Sequence, residues 1–174
     1  MIQPTSRPPH GLSGFTMVEL ITVMLIIGIM AAVAVPRLNL SGFDATGYRD
    51  KVRATLEFAR KSAVAQRRNV CVALAGNSLT LTIDNVTPET AGAGVCPPPP
   101  PRELTLPATD GACVVPTTNA ICAPNNVALT QDGGATGNLV FSPLGRPSAA
   151  AAYAITDAMT NLTVNVEAET GYVR

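Results

Sequence analysis

The sequence predicts an α+β protein in which a long N-terminal helix, apolar in its first half and amphipathic in its second, packs on an antiparallel, strand-rich head. Three observations predict this. They are a run of sixteen uncharged, mostly apolar residues near the N-terminus, then apolar residues at helical spacing, then short segments in which apolar and polar residues alternate. The composition agrees, since charged residues make up 14% of the chain, against roughly 25% in an ordinary soluble domain.

The apolar run is the first element. Phe15–Val35 contains one charged residue, Glu19, and as a helix would be ~31 Å long, close to the ~30 Å hydrocarbon core of a bilayer. We therefore expect residues 15–36 to form a single-pass transmembrane helix rather than a buried core helix. A carboxylate in hydrocarbon costs up to ~2.5–3.5 kcal/mol at the bilayer centre. The run has no Lys or Arg to pair with it, so the natural partner is a free α-amino group, created by a cut before Phe15.

The residues around this cut resemble a known processing signal. Gly14-Phe15-Thr16-Met17-Val18-Glu19 is similar to the cleavage site of type IV prepilins, with Met17 where Leu is usual and a leader that is longer than many. The resemblance implies that a prepilin peptidase removes residues 1–14, cutting between Gly14 and Phe15, and methylates the new N-terminus. It also implies that Glu19 then pairs with the amine of a neighbouring subunit during filament assembly.

Two other interpretations of the N-terminus compete with this one. A secretory signal peptide could be cut after Ala32-Val33-Ala34, but the apolar run exceeds the usual 7–15 residues and contains Glu19. If the segment were an ordinary membrane anchor, its match to the prepilin cleavage pattern would be a coincidence. Charge does not orient the segment, because Arg7 precedes it and Arg37 follows it. The resemblance alone places the leader in the cytoplasm and the head in the periplasm, with the anchor in the inner membrane.

The second half of the helix is amphipathic. Pro36 matches a kink position of pilin helices, and its missing N–H explains why a kink is expected there. Residues 37–68 follow, and we predict a helix over about Asp44–Arg68. Its apolar stripe consists of Tyr48, Val52, Leu56, Ala59 and Ala63 and is broadened by Phe58 and Val64. Its basic face carries Arg49, Lys51, Arg53, Arg60, Lys61, Arg67 and Arg68.

Residues 69–174 read as strands separated by turns. Val70–Leu74 and Ser78–Ile83 flank Gly76-Asn77, which predicts a β-hairpin. Five consecutive prolines, Pro97–Pro101, cannot lie inside a sheet. We interpret them as an extended surface spacer rather than as a proline ligand for a partner. The remaining predicted strands are Glu103–Leu106, Ala112–Val115, Asn126–Thr130, Asn138–Ser142, Leu162–Glu167 and Tyr172-Val173.

Three further segments sharpen the resemblance. They are similar to segments of GspH/FimT-type minor pseudopilins and occur in the same order: Ala59-Arg60-Lys61-Ser62-Ala63-Val64, Phe141-Ser142-Pro143-Leu144-Gly145-Arg146 and Glu169-Thr170-Gly171-Tyr172-Val173. This resemblance implies a minor subunit rather than a major pilin. It also implies a β-sandwich-like antiparallel head packed on the C-terminal half of the helix.

The four cysteines favour disulfides, because their number is even and the head is expected outside the cytoplasm. Three connectivities are possible. We prefer Cys113–Cys122, a short loop, together with Cys71–Cys96, which would tie the proline segment to the first strand. A zinc site is the other interpretation, but the sequence contains no Cys-x-x-Cys and its single His lies in the leader.

The sequence argues against an enzyme. Once the leader is removed the chain has no His, and we find no phosphate-binding glycine motif. Glu167 and Glu169 would share a strand face and mimic a catalytic pair, but a solvated face is the simpler interpretation. We expect no cofactor, no metal and no catalytic residues.

The expected function is therefore that of a minor pilin or pseudopilin, a structural subunit of a type IV pilus or a type II secretion pseudopilus. Its expected partners are the prepilin peptidase, other pilin subunits and the inner membrane. The alternative is a FimT-like DNA receptor for natural transformation. Residues 37–68 carry eight basic and three acidic residues, and residues 69–174 carry three basic and eight acidic. A second Arg is missing after Arg146, and phosphate contacts need several cations together, so we regard nucleic acid as an improbable partner.

Overall fold

The computed structural model describes residues 14–34, 41–87, 96, 102–108, 110–115, 117–132 and 137–174. The chain divides into two compact units, Met1–Asn39 and Leu40–Arg174, and each is considered by itself. Three predictions lie outside the described residues: most of the leader (residues 1–13), the kink at Pro36 and the extended Pro97–Pro101 segment.

The first unit contains one helix, α1 (Met17–Ala34). Thr16 caps its N-terminus, because the Thr16 side-chain oxygen accepts a hydrogen bond of 3.2 Å from the backbone N–H of Glu19. The backbone N–H of Leu20 donates to the Thr16 carbonyl oxygen at 3.2 Å, which closes the first turn. Thr16 and Glu19 are also the residue types of a capping box, so the processing motif doubles as a helix start.

The second unit begins with α2 (Ser41–Gln66). The predicted stripe is buried, with Tyr48 1% exposed and Val52, Leu56, Ala59 and Ala63 fully buried. Ala45 extends the stripe by one position towards the N-terminus. The expected contribution of Val64 is wrong, because its side chain is 48% exposed.

The C-terminus of α2 has a left-handed residue. Arg67 has φ 50°, and the backbone N–H of Arg68 donates to the carbonyl oxygen of Ala63 at 3.2 Å. This 6→1 hydrogen bond is the Schellman arrangement, in which glycine usually occupies the left-handed position.

Eight strands form two antiparallel sheets. Their bounds are β1 Val70–Ala75, β2 Ser78–Ile83, β3 Arg102–Glu103, β4 Ala120–Cys122, β5 Ala128–Asp132, β6 Leu139–Phe141, β7 Ala151–Thr156 and β8 Asn161–Val166. The first sheet has the order β3-β2-β1-β6, and β4 also pairs with β2. The second sheet has the order β5-β7-β8. The predicted α+β class, a helix on antiparallel sheets, is confirmed.

The predicted hairpin is formed by β1 and β2. Val70 pairs with Ile83 at one end and Ala75 with Ser78 at the other. The two turn residues are Gly76 and Asn77, and Gly76 has φ +57°. A glycine with positive φ at the first turn position is what a type II′ turn requires.

The core lies between α2 and both sheets. α2 contacts β1, β2, β4 and β6 of the first sheet and β7 and β8 of the second. The large side chains in this core are almost completely buried, among them Tyr48, Phe141, Tyr153, Leu79 and Ile155. The helix is therefore the layer on which the two sheets meet.

Three predicted strands need correction. Tyr172-Val173 is not a strand, since Val173 forms an isolated bridge with Val166. Ala112–Val115 is not a strand, because it lies in turns within a disulfide-closed loop and Val114 is 99% exposed. Of Glu103–Leu106, only Glu103 is in a strand, β3. Leu104 and Leu106 are buried outside any strand. The N–H of Leu104 donates to the carbonyl oxygen of Leu81 in β2, and the N–H of Leu106 donates to that of Thr118, which precedes β4.

Two strands of the structure were missed. β7 reads AAYAIT and β4 is three residues long. Alanine has low strand propensity, so β7 carries a weak signal even though it is the central strand of its sheet. β4 is too short to show an alternating pattern.

One side chain joins the two sheets. The side-chain N–H of Asn77, in the β1–β2 turn, donates to the carbonyl oxygen of Val127 at 3.4 Å. Its side-chain oxygen accepts from the N–H of Leu129, in β5, at 3.3 Å. The Asn77 carbonyl oxygen accepts from the N–H of Ala123 at 2.9 Å and from the Tyr48 hydroxyl at 3.3 Å. A single turn residue thus connects both sheets with α2.

This arrangement gives a graded prediction for Asn77. Asn77→Ala removes both side-chain hydrogen bonds and should lower the free energy of unfolding by about 2 kcal/mol. Asn77→Asp keeps the acceptor for Leu129 but sets a carboxylate oxygen against the Val127 carbonyl oxygen, so it should destabilise the fold at least as much. Urea denaturation measures both, with Gln66→Ala on the exposed end of α2 as the control. Equal stability of all three variants would contradict the bridging role.

Candidate functional site

The predicted processing site is exposed. Gly14, Phe15 and Thr16 precede α1 in extended or irregular backbone, and the Phe15 side chain is 84% exposed. None of the described residues covers the Phe15 side chain.

Glu19 lies in the first turn of α1 and is exposed. None of the described residues donates a hydrogen bond to its carboxylate. A negative charge is favourable near a helix N-terminus, but this interaction falls well short of the neutralisation that burial in apolar surroundings would require.

The rest of α1 is apolar on every face. Every described residue from Gly14 to Ala32 is exposed, and the large hydrophobic side chains range from 47% exposed at Val23 to 84% at Phe15. A helix that is hydrophobic all round is normally buried by something else. This helix therefore presents an apolar surface that its own unit leaves uncovered.

The expected membrane span was residues 15–36, of which α1 covers Met17–Ala34. Across the part of the chain that the structure describes, no helix combines the length and apolar character needed to cross a bilayer.

The cysteines form two disulfides in the second unit. Cys71 is bonded to Cys96, with 5.7 Å between their Cα atoms, and Cys113 to Cys122, with 5.1 Å. This is the pairing that the sequence analysis preferred. Cys71 is buried in β1, so the first bond ties residue 96 to the middle of the first sheet.

A buried carboxylate that the sequence analysis missed organises the second disulfide loop. Asp110 is 9% exposed and accepts hydrogen bonds from the Lys51 ammonium at 3.0 Å and from the backbone N–H groups of Ala112 and Cys122 at 3.1 Å each. Burial raises the pKa of Asp110, but these three donors outweigh it and hold the pKa below the usual value. In the sequence, Asp110-Gly111 predicts only a turn, and no local pattern indicates that the carboxylate is buried.

A groove of about 270 Å³ lies beside this ion pair, between α2 and residues 106–108 and 110. Among its described lining residues, the side-chain polar groups are those of Lys51, Asp110 and Thr55. Its lining residues are Lys51, Ala54, Thr55, Phe58, Leu106, Pro107, Ala108, Asp110 and Ile121.

The three segments that carried the second resemblance converge in space. Arg60 of α2 donates from Nε to the carbonyl oxygen of Gly145 at 3.3 Å. Gly145 and Gly171 both have positive φ, +77° and +64°. A Cβ at Gly171 would collide with the Gly145 carbonyl oxygen and approach Arg60 Nε to 3.3 Å. Three weak sequence signals thus mark one packed junction of helix and two turns.

Glu167 and Glu169 do not share a strand face, contrary to the expectation from the sequence. β8 ends at Val166, so Glu167 and Glu169 lie in the turn that follows rather than on one strand face. Glu167 accepts from the Thr170 hydroxyl at 3.2 Å, whereas Glu169, 84% exposed, lies 3.9 Å from Arg146. Among the described residues, no cluster of three metal-ligating side chains occurs.

Most of the basic residues on α2 are engaged within the chain. Lys51 pairs with Asp110, and Arg60 donates to Gly145; Arg68, which follows the helix, donates to the backbone carbonyls of Asp84 and Asn85. The others pair with neighbours on the helix: Arg49 with Asp50 at 3.3 Å, Arg53 with Glu57 at 3.3 Å and Lys61 with Glu57 at 3.5 Å. Each of these basic side chains therefore has a partner among the described residues.

Comparison with known proteins identifies the fold. No protein-family model matches the chain, and neither does any curated protein. Among solved structures, the minor pseudopilin EpsH from the Type 2 Secretion System of Vibrio cholerae is similar over 75% of this chain and 94% of that chain, with 14% identity and a TM-score of 0.53. A second EpsH structure is similar over 75% of this chain and 92% of that chain, with 14% identity and a TM-score of 0.52.

The chain has the fold of a minor pseudopilin. The type IV minor pilin FimU of Pseudomonas aeruginosa is also similar, over 78% of this chain and 90% of that one, with 13% identity and a TM-score of 0.49. The resemblance to a pilin-like minor pseudopilin, first drawn from short motifs, is confirmed at the level of the fold by EpsH.

The glycine junction predicts a graded response to substitution. Gly171→Ala should lower the free energy of unfolding by at least about 2 kcal/mol, because a left-handed conformation costs other residues about 1–2 kcal/mol and the new Cβ meets backbone. Gly145→Ala should cost less, since its Cβ would meet the Arg60 and Val64 side chains, which can move. Gly111→Ala, in open space, is the control. Thermal denaturation that ranks Gly111→Ala lowest in stability would contradict this account.

The Asp110 cluster predicts a pH-dependent loss of stability. Because the folded pKa is lowered, the carboxylate stabilises the fold above the ordinary Asp pKa of about 3.9, and this contribution disappears as the pH falls through the folded pKa. Asp110→Asn should therefore cost about 2 kcal/mol at neutral pH and progressively less in acid.

Urea denaturation across a pH series measures this difference. Lys51→Met, which removes one donor and keeps the carboxylate, should show a smaller loss at neutral pH. A wild-type advantage over Asp110→Asn that stayed constant into acid would contradict the mechanism.

Proposed function

We propose that this chain is a minor pilin or pseudopilin, a structural subunit that is processed and then incorporated into a type IV pilus or a type II secretion pseudopilus, and not an enzyme. The observation that supports this most directly is the apolar surface of α1, exposed on every face and interrupted by one carboxylate. The head carries the fold seen in EpsH. A helix of this kind needs apolar neighbours, and a filament of similar subunits supplies them.

The processing step takes place at the N-terminus of the first unit. A prepilin peptidase cuts between Gly14 and Phe15, and the new amino group of Phe15 is methylated. The support is the match to the prepilin motif together with the exposure of Phe15 at the start of a capped helix. Before assembly, the apolar segment holds the chain in the inner membrane with its head in the periplasm, a placement supported by the run Phe15–Val35 in the sequence.

Glu19 then sets the register of assembly. Among apolar neighbours an unpaired carboxylate would be strongly unfavourable, and none of the described residues neutralises it. The amine of Phe15 on an adjoining subunit provides the opposite charge. Burial of the apolar side chains supplies cohesion, whereas the ion pair selects one axial position among many of similar apolar area.

The test compares variants of Glu19 in cells that make the native apparatus. Glu19→Ala should leave N-terminal cleavage and total protein unchanged but reduce incorporation by about tenfold or more, since loss of the charge pair leaves the partner amine buried alone. Glu19→Asp should retain part of the incorporation. Sheared filaments, or cross-linked pseudopili, are assayed by immunoblotting against the cell-associated fraction.

Thr22→Ala is the matched control, because it changes a neighbouring exposed residue of the same helix without removing a charge. Mass spectrometry of the mature chain identifies the N-terminus. A methylated Phe15 is expected, and a chain that begins elsewhere, or normal incorporation of Glu19→Ala, would refute the proposal.

A further inference from the structure

The junction of α2 with the two glycine turns places three exposed apolar side chains around one site on the head. Val64 is 48% exposed, Leu144 is 83% exposed and Tyr172 is 50% exposed. Leu144 precedes Gly145 and Tyr172 follows Gly171, and these two glycines are packed backbone against backbone. Val64 lies beside them, since its Cγ2 atom would be 3.2 Å from a Cβ at Gly145.

The turn that carries Leu144 is rigid. The N–H of Gly145 donates to the carbonyl oxygen of Ser142 at 2.8 Å. The N–H of Ser142 donates to the carbonyl oxygen of Arg146, also at 2.8 Å. The Ser142 hydroxyl also accepts from the N–H of Arg146 at 3.2 Å. Pro143 restricts the backbone further. Turn positions usually carry Asn, Asp, Gly or Ser, so a stiff turn that displays Leu exposes apolar area in a fixed position.

The second turn is equally constrained. The N–H of Gly171 donates to the Glu167 carbonyl oxygen at 2.9 Å. The N–H of Glu167 donates to the carbonyl oxygen of Tyr172 at 3.0 Å. The N–H of Tyr172 is also held by the Thr170 hydroxyl at 3.1 Å. An ordered patch loses little conformational entropy on binding, which favours affinity, and Tyr is enriched among residues that dominate binding energies.

Cations border this patch. Arg146, whose side chain is 63% exposed, follows the first glycine, and Arg67, three residues after Val64, is also exposed. The Arg67 side chain has no hydrogen-bond or ion-pair partner among the described residues. Glu169 lies 3.9 Å from Arg146, and Glu167 lies 3.8 Å from Arg174, while Arg60 donates to Gly145. The charged side chains of this junction are therefore four Arg (Arg60, Arg67, Arg146 and Arg174) and two Glu (Glu167 and Glu169), which gives a net side-chain charge of +2 around an apolar centre.

We propose that Val64, Leu144 and Tyr172, bordered by Arg67 and Arg146, form a docking patch for a protein that presents an apolar side chain flanked by carboxylates. An apolar centre with a charged border is the usual anatomy of a protein interface, and the positive border selects an acidic partner. Nucleic acid fits less well, because two exposed guanidinium groups give few phosphate contacts. The patch belongs to the head and does not involve Phe15 or Glu19.

The test is site-specific photo-crosslinking in cells that contain the native apparatus. A photoreactive phenylalanine derivative replaces Tyr172, which it resembles in shape, and in a control chain it replaces Val114, 99% exposed on the disulfide loop. We expect an adduct from position 172 only, and mass spectrometry should map it to a partner peptide that contains Asp or Glu. Adding Leu144→Ser should reduce the adduct by about tenfold, as loss of an apolar anchor does.

A charge exchange makes the test specific. Arg146→Glu should abolish the adduct, and a change from acid to Arg at the mapped partner position should restore it. Equal adducts at positions 172 and 114, no effect of Leu144→Ser, no restoration, or an adduct with nucleic acid in place of a peptide would each overturn the proposal. The mature N-terminus of each variant is determined in parallel, so a failure of processing or assembly is seen separately.

Discussion

The burial of one stripe of α2 under two sheets is the constraint on which the head depends. The sheets pair within themselves, and α2 contacts strands of both. With Val52, Leu56, Ala59 and Ala63 fully buried, the charged residues of the helix are confined to its remaining surface. There they reach out to bond other elements, as Lys51 does with Asp110 and Arg60 with Gly145. The helix thus fixes both the apolar core and the polar contacts around it.

The parts of the head that could be predicted from sequence are those with a local signal. The stripe of α2 has the helical period, and the β1–β2 hairpin has alternation around Gly76-Asn77, so both were found. β7 could not be found in this way, because AAYAIT has little alternation and a composition that favours helices. Its identity as a strand comes from pairing with β5 and β8 on either side, which is tertiary information.

The candidate site divides in the same way. Gly14, Phe15 and Glu19 belong to a contiguous motif, so the sequence alone was enough to select them as candidates. Asn77 and Asp110 could not be selected in this way, since each is an ordinary turn residue whose partners lie far along the chain: Val127 and Leu129 for one, Lys51 for the other. Gly145 and Gly171 fall between these cases. Each belongs to a motif, but only the structure shows that the two glycines touch and why a side chain would not fit.

Asp110 also couples the chemistry of a covalent bond to the docking of a helix. One of its three donors is the N–H of Cys122, whose sulfur is bonded to Cys113. The disulfide between these residues restricts the positions that the Cys122 N–H can adopt. It therefore helps to hold in place the donors that bind the Asp110 carboxylate, which in turn binds Lys51. Reduction of the Cys113–Cys122 bond would therefore loosen more than the loop that it closes, because the same N–H group of Cys122 helps to hold the carboxylate that binds Lys51.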